Sequence, residues 1–204
     1  MRKLKKEINI LILCSLLSCT PKIKKEEPKI IYYPSKDLFT HANTVRVDLD
    51  NSSINFKELT NLVDDIHTIN GSPYIEFLDN DTLKKILLFR NDGQPINSKD
   101  KLEISKDSVL SDDMNYSINK LYGILKEEYK NIGKGWEHPK DNNSFFVEIE
   151  IDTNQKAVVL EKTLRNLVRN FDEINLENND TLLLNVVLSY FHQIPPPPPP
   201  KFKN

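Results

Sequence analysis

Cysteine is almost missing: the 204-residue chain has two, Cys14 and Cys19, and none after them. Residues 20–204 therefore offer no disulfide, no CxxC redox pair and no cysteine-ligated metal, and in an oxidising compartment the body would rely on packing alone. Glycine is scarce too, with five in all. Phosphate loops and dinucleotide fingerprints need glycines at fixed spacing; Gly133 and Gly135 do not make one, and no GxSxG elbow is present. No apolar run approaches the roughly 20 residues that a spanning helix requires. Nor does one sign of charge dominate: 28 Lys and Arg face 30 Asp and Glu, interspersed, for a net charge of −2. That balance excludes the basic footprint of a nucleic-acid binder. The four histidines, His41, His67, His138 and His192, are scattered and match no metal-ligand spacing, so no metal and no cofactor is expected.

What the chain does have is concentrated first at its start. Arg2, Lys3, Lys5 and Lys6 precede a short apolar stretch from Ile8 to Leu17, followed by Ser18 and Cys19. A basic head, a core within the 7 to 15 residue range and a small residue at the end are the parts of a secretory signal. Leu16, Leu17, Ser18 and Cys19 resemble the lipobox of bacterial lipoproteins, with leucine at a place where a smaller residue is commoner. The resemblance implies removal of residues 1–18, lipidation of Cys19 and attachment to the membrane through that residue alone. Each buried methylene contributes about 0.8 kcal/mol, so two or three acyl chains would hold firmly without a spanning segment. Thr20, rather than aspartate, after the cysteine favours the outer membrane over the inner on the same resemblance.

Residues 19–43 read as a tether, because Pro21, Pro28 and Pro34 and the run Lys24, Lys25, Glu26, Glu27 show no apolar period. Residues 44–93 read as strand, helix, strand, strand. Val45, Val47 and Leu49 alternate, and Phe56, Leu59, Leu62, Val63, Ile66 and Ile69 fall at helical spacing behind a cap at Asn55 with Glu58 three residues on. Tyr74 to Leu78 and Thr82 to Phe89 then flank a polar corner. Residues 146–192 repeat that order: alternation at Val147, Ile149 and Ile151, a helical stripe at Leu160, Leu164, Leu167, Val168 and Phe171, a strand at Ile174 to Leu176, a corner, and a long strand from Thr181 to Phe191. Asn61-Leu62-Val63 returns as Asn166-Leu167-Val168 and Asn80-Asp81-Thr82-Leu83 as Asn179-Asp180-Thr181-Leu182, which points to an internal repeat.

Between these units, 94–145 should hold a short strand at Leu102 and Ile104 and a helix from Asp112, capped by Ser111, with Met114, Ile118, Leu121 and Leu125 on one face. The expected fold is α+β: two related strand-helix-strand-strand units with an additional helix between them. Glu58, Asp64 and Asp65 against Lys162, Arg165 and Arg169 give the two unit helices opposite charge, which would favour their facing each other. In its order of strand, helix and strand, 147–192 is similar to the periplasmic part of ExbD and TolR. Those proteins carry an aspartate inside a true spanning helix, which this chain lacks, so the likeness extends to fold and not to proton coupling.

Chemistry has few candidates. Glu137 and His138, beside the single tryptophan Trp136, form the one compact polar cluster and the one place for a hydrolytic site. Asp79 with Asp81, and Glu177 with Asp180, could offer oxygen ligands to calcium, although Asp and Asn are also what tight turns use. The tail, 193–204, carries Pro195 to Pro200, a polyproline rod that could dock on a protein partner. The leading expectation is a lipid-anchored, non-catalytic envelope module, the alternative a lipid-anchored hydrolase at the Trp136 loop.

Overall fold

The computed structural model describes residues 28–49, 54–90, 96–111, 114–179 and 181–189. The lipobox-like residues Leu16 to Cys19, the tail prolines and His192 lie outside them. The fold is α+β. Among the described residues nine strands form one mixed sheet in the order β2-β3-β4-β9-β8-β5-β6-β7, with β1 beside β4. These are β1 (Lys29–Tyr33), β2 (Thr44–Arg46), β3 (Ser72–Asp79), β4 (Thr82–Phe89), β5 (Lys101–Ile104), β6 (Ser108–Ser111), β7 (Met114–Ser117), β8 (Phe146–Glu150) and β9 (Val186–Ser189). The helices are α1 (Lys36–His41), α2 (Phe56–Thr68), α3 (Leu121–Asn131) and α4 (Val158–Glu177).

Two crossovers organise the sheet. α2 joins β2 to its parallel neighbour β3, and α4 joins β8 to its parallel neighbour β9. Their starting loops are stitched together by an antiparallel bridge between Asn55 and Lys156, with Phe56 N–H donating to Gln155 O (2.8 Å) and Ala157 N–H to Ile54 O (2.9 Å). α2 is as the sequence reads: Asn55 accepts from the Glu58 amide and Glu58 accepts from the Asn55 amide, a reciprocal cap. At its end Gly71 is required by close approach, since a Cβ there would lie 2.7 Å from Ile66 Cγ2. Leu59 and Val63 of α2, Leu164 and Phe171 of α4, and Leu121 and Leu125 of α3 belong to one buried core with Ile75, Ile86, Val147 and Val186 of the sheet.

Four local expectations change. The tether ends early: from Lys29 the chain is strand, paired in parallel with β4, and Tyr33 is only 2% exposed. The prolines at 28 and 34 flank β1 rather than interrupt it, and β4 supplies the backbone partners that a free tether would lack. In the second unit Ile174 to Leu176 is the end of α4, because Ile174 extends the buried stripe of Phe171 by three residues. Among the described residues one short strand, β9, therefore follows instead of two. The expected helix start at Asp112 lies outside the described residues, but Met114–Ser117, expected in that helix, is strand β7, the antiparallel partner of β6, and α3 begins at Leu121.

Finally, Arg165 and Arg169 of α4 are engaged by β3 and by their own helix, not by α2. Arg169 binds Asp79 of β3 at 2.6 Å, Arg165 joins Glu161 and the Leu78 carbonyl, and Glu58 serves its own helix cap. The repeated tripeptides both lie on crossover helices, whereas the tetrapeptides occupy different places. Asn80 turns β3 into β4 and Asn179 follows the end of α4, both with left-handed backbones (φ 53° and 57°).

Candidate binding groove

α3 uses its two faces differently. Leu121, Leu125 and Tyr129 recur every four residues and are buried against the core, where Tyr129 donates to Leu183 O at 2.8 Å and meets Phe145 and Phe171 edge-on or tilted. Lys120, Ile124, Glu127 and Asn131 recur at the same helical spacing on another face and line a groove of about 290 Å³. The opposite wall is the β6-β7 hairpin, through Ser111 and Tyr116, and His138 closes one side. Gly123 forms part of the groove wall, and a Cβ built there would meet no heavy atom within 4 Å.

Most of the groove's lining area is apolar, and its polar groups are held. Ser111 donates to Glu128, Lys130 pairs with Glu127 at 3.1 Å, and the Lys120 ammonium lies 5.6 Å from the Tyr116 ring centre. β7 is the last strand in the sheet order, and Met114 on it is 55% exposed. Among the described residues the outer edge of β7 has no strand partner, and such an edge next to a groove is the arrangement by which extended segments are bound as an added strand.

His138 thus lines a cavity, but with Glu127 and Glu128, not with Glu137. Glu137 is exposed on its loop and does not line the groove. Sequence reasoning gave Ser111 only as a helix cap and missed Tyr116 and Glu128 altogether. The second stripe of α3 was a usable signal, but its facing wall depends on a hairpin read as helix.

Elsewhere, charged groups are built into the fold. Lys84, with a 6% exposed side chain, donates to Asp172 at 2.6 Å and to the Tyr33 hydroxyl at 3.1 Å, and Tyr33 donates to the other Asp172 oxygen at 2.6 Å. Burial, then the Asp172 carboxylate, push the Tyr33 phenol well above its ordinary range, so it remains a donor. Beyond it, the hydrogen bond from Arg169 holds the Asp79 carboxyl below the usual carboxylate range. On the other face of the sheet Lys101 pairs with Glu148 and Glu103. Burial alone would pull its amine down, and the two carboxylates more than reverse this. Of the corner carboxylates, Asp79 is engaged by arginines and Glu177 by Lys126 and Tyr122, while Asp180 lies outside the described residues. Among the described residues no three metal-ligating side chains converge, and no helix there is long and apolar enough to cross a membrane. In comparisons with family models, curated proteins and solved structures, nothing matches this chain.

Proposed function

We propose that this chain is a lipid-anchored, non-catalytic binding module of the bacterial cell envelope, moored through Cys19 and using the groove between α3 and the β6-β7 hairpin. The observation that carries the anchor is the order of basic head, short apolar core and Leu16-Leu17-Ser18-Cys19. What supports binding rather than chemistry is the make-up of the groove. Ser111, Glu127 and Glu128 are engaged with groups of this chain, and beside them, among the described residues, runs an open strand edge suited to a main-chain guest.

Mass spectrometry of the purified protein tests the anchor. A mature chain beginning at an acylated Cys19 is expected, and Cys19→Ala should leave the membrane fraction; an intact, unacylated leader would overturn it. Gly123 tests the groove. Gly123→Ala should raise stability by about 0.5–1 kcal/mol, because the helix gains a better former and nothing resists the added carbon. A photo-crosslinking residue at 123 should then capture a neighbour in intact cells, and Gly123→Arg should abolish that neighbour's association. If the association persists, the groove is not the docking site.

A further inference from the structure

The edge strand β7 lacks the usual guards. Met114, Asn115, Tyr116 and Ser117 include no charge and no proline, the features by which exposed strands ordinarily refuse a neighbour, and all but Tyr116 are exposed. Which of its backbone groups point outward follows from one bond. The Ile118 amide donates to Asp107 O at 3.0 Å, and hydrogen-bonded pairs alternate along an antiparallel ladder. In the register of β6 with β7, Val109 with Tyr116 and Ser111 with Met114 are therefore the bonded pairs, and Asn115 and Ser117 sit in the unbonded ones. Asn115 thus turns its N–H and C=O away from β6, and Ser117 turns its N–H the same way. Among the described residues no strand meets them.

These outward groups lie on either side of Tyr116, which makes the edge complementary to itself. Turned antiparallel about a two-fold axis at Tyr116, a second β7 sets each Ser117 amide against the Asn115 carbonyl of the other copy. No like charges meet within the strand. Met114, 55% exposed, comes opposite Ile118 of the second copy. The same axis reverses α3, so the Lys120 end of one groove adjoins the Glu127 end of the other, opposite in charge, and the contact of Glu127 with Lys130 is exposed enough to be shared. So short an edge also selects for a folded guest. A free peptide would have to order about one residue for each bond gained, a loss that cancels the gain, whereas a strand already held in a sheet has lost that freedom beforehand.

We propose that β7 is a self-association edge, through which two copies of this chain pair antiparallel and join their sheets across the seam between the two α3 grooves. This rests on the reading of groove and edge as a binding site and names the guest as a second copy. Copies moored in one membrane would meet at high local concentration.

Full-length protein with Cys14→Ala and Cys19→Ala has no acyl chain and no thiol. Adding Tyr116→Cys places one thiol on the axis, where facing Cα atoms are about 4.5 Å apart, within disulfide reach. Mild oxidation should give a linked dimer whose yield rises with protein concentration, and Lys57→Cys, at an exposed site on α2, should not. Ser117→Pro is the sharper variant. Ser117 already has φ −62°, the value that proline imposes, and its side chain makes no cap bond, so only the outward N–H is lost. It should weaken association about tenfold or more, since two amide bonds disappear from each dimer, with a melting temperature no lower than the parent's. Ser117→Ala, which keeps the amide, should match the parent.

Equal linking through positions 57 and 116, or Ser117→Pro behaving as Ser117→Ala, would overturn the proposal. So would the absence of any linked dimer. If a photo-crosslinker at Gly123 then still captured a different protein, the groove reading would stand and only the second copy as its guest would fall.

Discussion

α2 and α4 make the same connection, from one strand to the parallel neighbour beside it, and are held by different means. α2 carries its own start signal in Asn55 and Glu58 and ends at a glycine that only close packing explains. α4 has no side-chain cap, since Ala157 precedes it with helical backbone angles, yet it is the longer helix. Its hold comes from tertiary contacts: Leu160, Leu164, Leu167, Val168, Phe171 and Ile174 are buried, and Asp172 is tied to Lys84 and Tyr33. A helix written locally can be read from a few residues, whereas one defined by its surroundings needs the fold around it.

The most damaging test of that difference is in the α4 core. Phe171 packs against Tyr33 and Tyr129, 5.9 and 5.6 Å between ring centres, and so joins β1, α3 and α4. Phe171→Ala should cost about 3–5 kcal/mol, measured by denaturant unfolding. The loss should be shared by all parts of the sheet, and unfolding confined to α4 would break the picture of one core.

Next comes the buried ion pair. Asp172→Ala would leave Lys84 charged, buried and unpaired, at a cost of about 3 kcal/mol, near the low end for such sites because Asp172 retains some solvent contact. Lys84→Met with Asp172→Leu removes both charges and should return to within about 1 kcal/mol of the parent. A double variant as unstable as the single one would mean that the Tyr33 hydroxyl, and not the charge pair, is what secures β1.

Legibility in the sequence follows the same division. α2, β3, β4 and β8 could be read because apolar period, cap and turn residues agreed within each segment. β1 could not, since Ile31 and Tyr33 sit between prolines and its partners come from β4, some fifty residues away. β7 was hidden because Met114, Ile118, Leu121 and Leu125 have helical spacing, and the backbone partners offered by β6 outweighed it. The groove was hidden for the same reason, as its far wall is that hairpin. His138 was visible as a residue, but its neighbours Glu127 and Glu128 come from α3 and are set by packing.

A smaller effect separates local from tertiary control more sharply. Asn55→Ala should cost about 1 kcal/mol. Amide exchange in the first turn of α2 should accelerate more than exchange in α4, because only α2 depends on a side-chain cap. Equal acceleration in both would mean that the Asn55 to Lys156 bridge, shared by the two helix starts, carries the signal between them.

The smallest expected change is electrostatic and concerns the outer side of α4. Arg169, assisted by Arg165, lowers the folded-state pKa of Asp79 below its unfolded value. The resulting stabilisation is complete above the ordinary carboxylate range and disappears as pH falls through the lower folded value. Arg169 is 61% exposed, so solvent and salt screen the contact and the effect is modest. Melting temperature followed downward from about pH 5 should drop more steeply for the parent than for Asp79→Asn, and high salt should narrow the gap. Parallel curves would mean that the arginines contribute only packing, through the guanidinium of Arg165 stacked 4.6 Å from the Phe77 ring centre, and that α4 is held by its apolar face and the Lys84 pair without help from its rim.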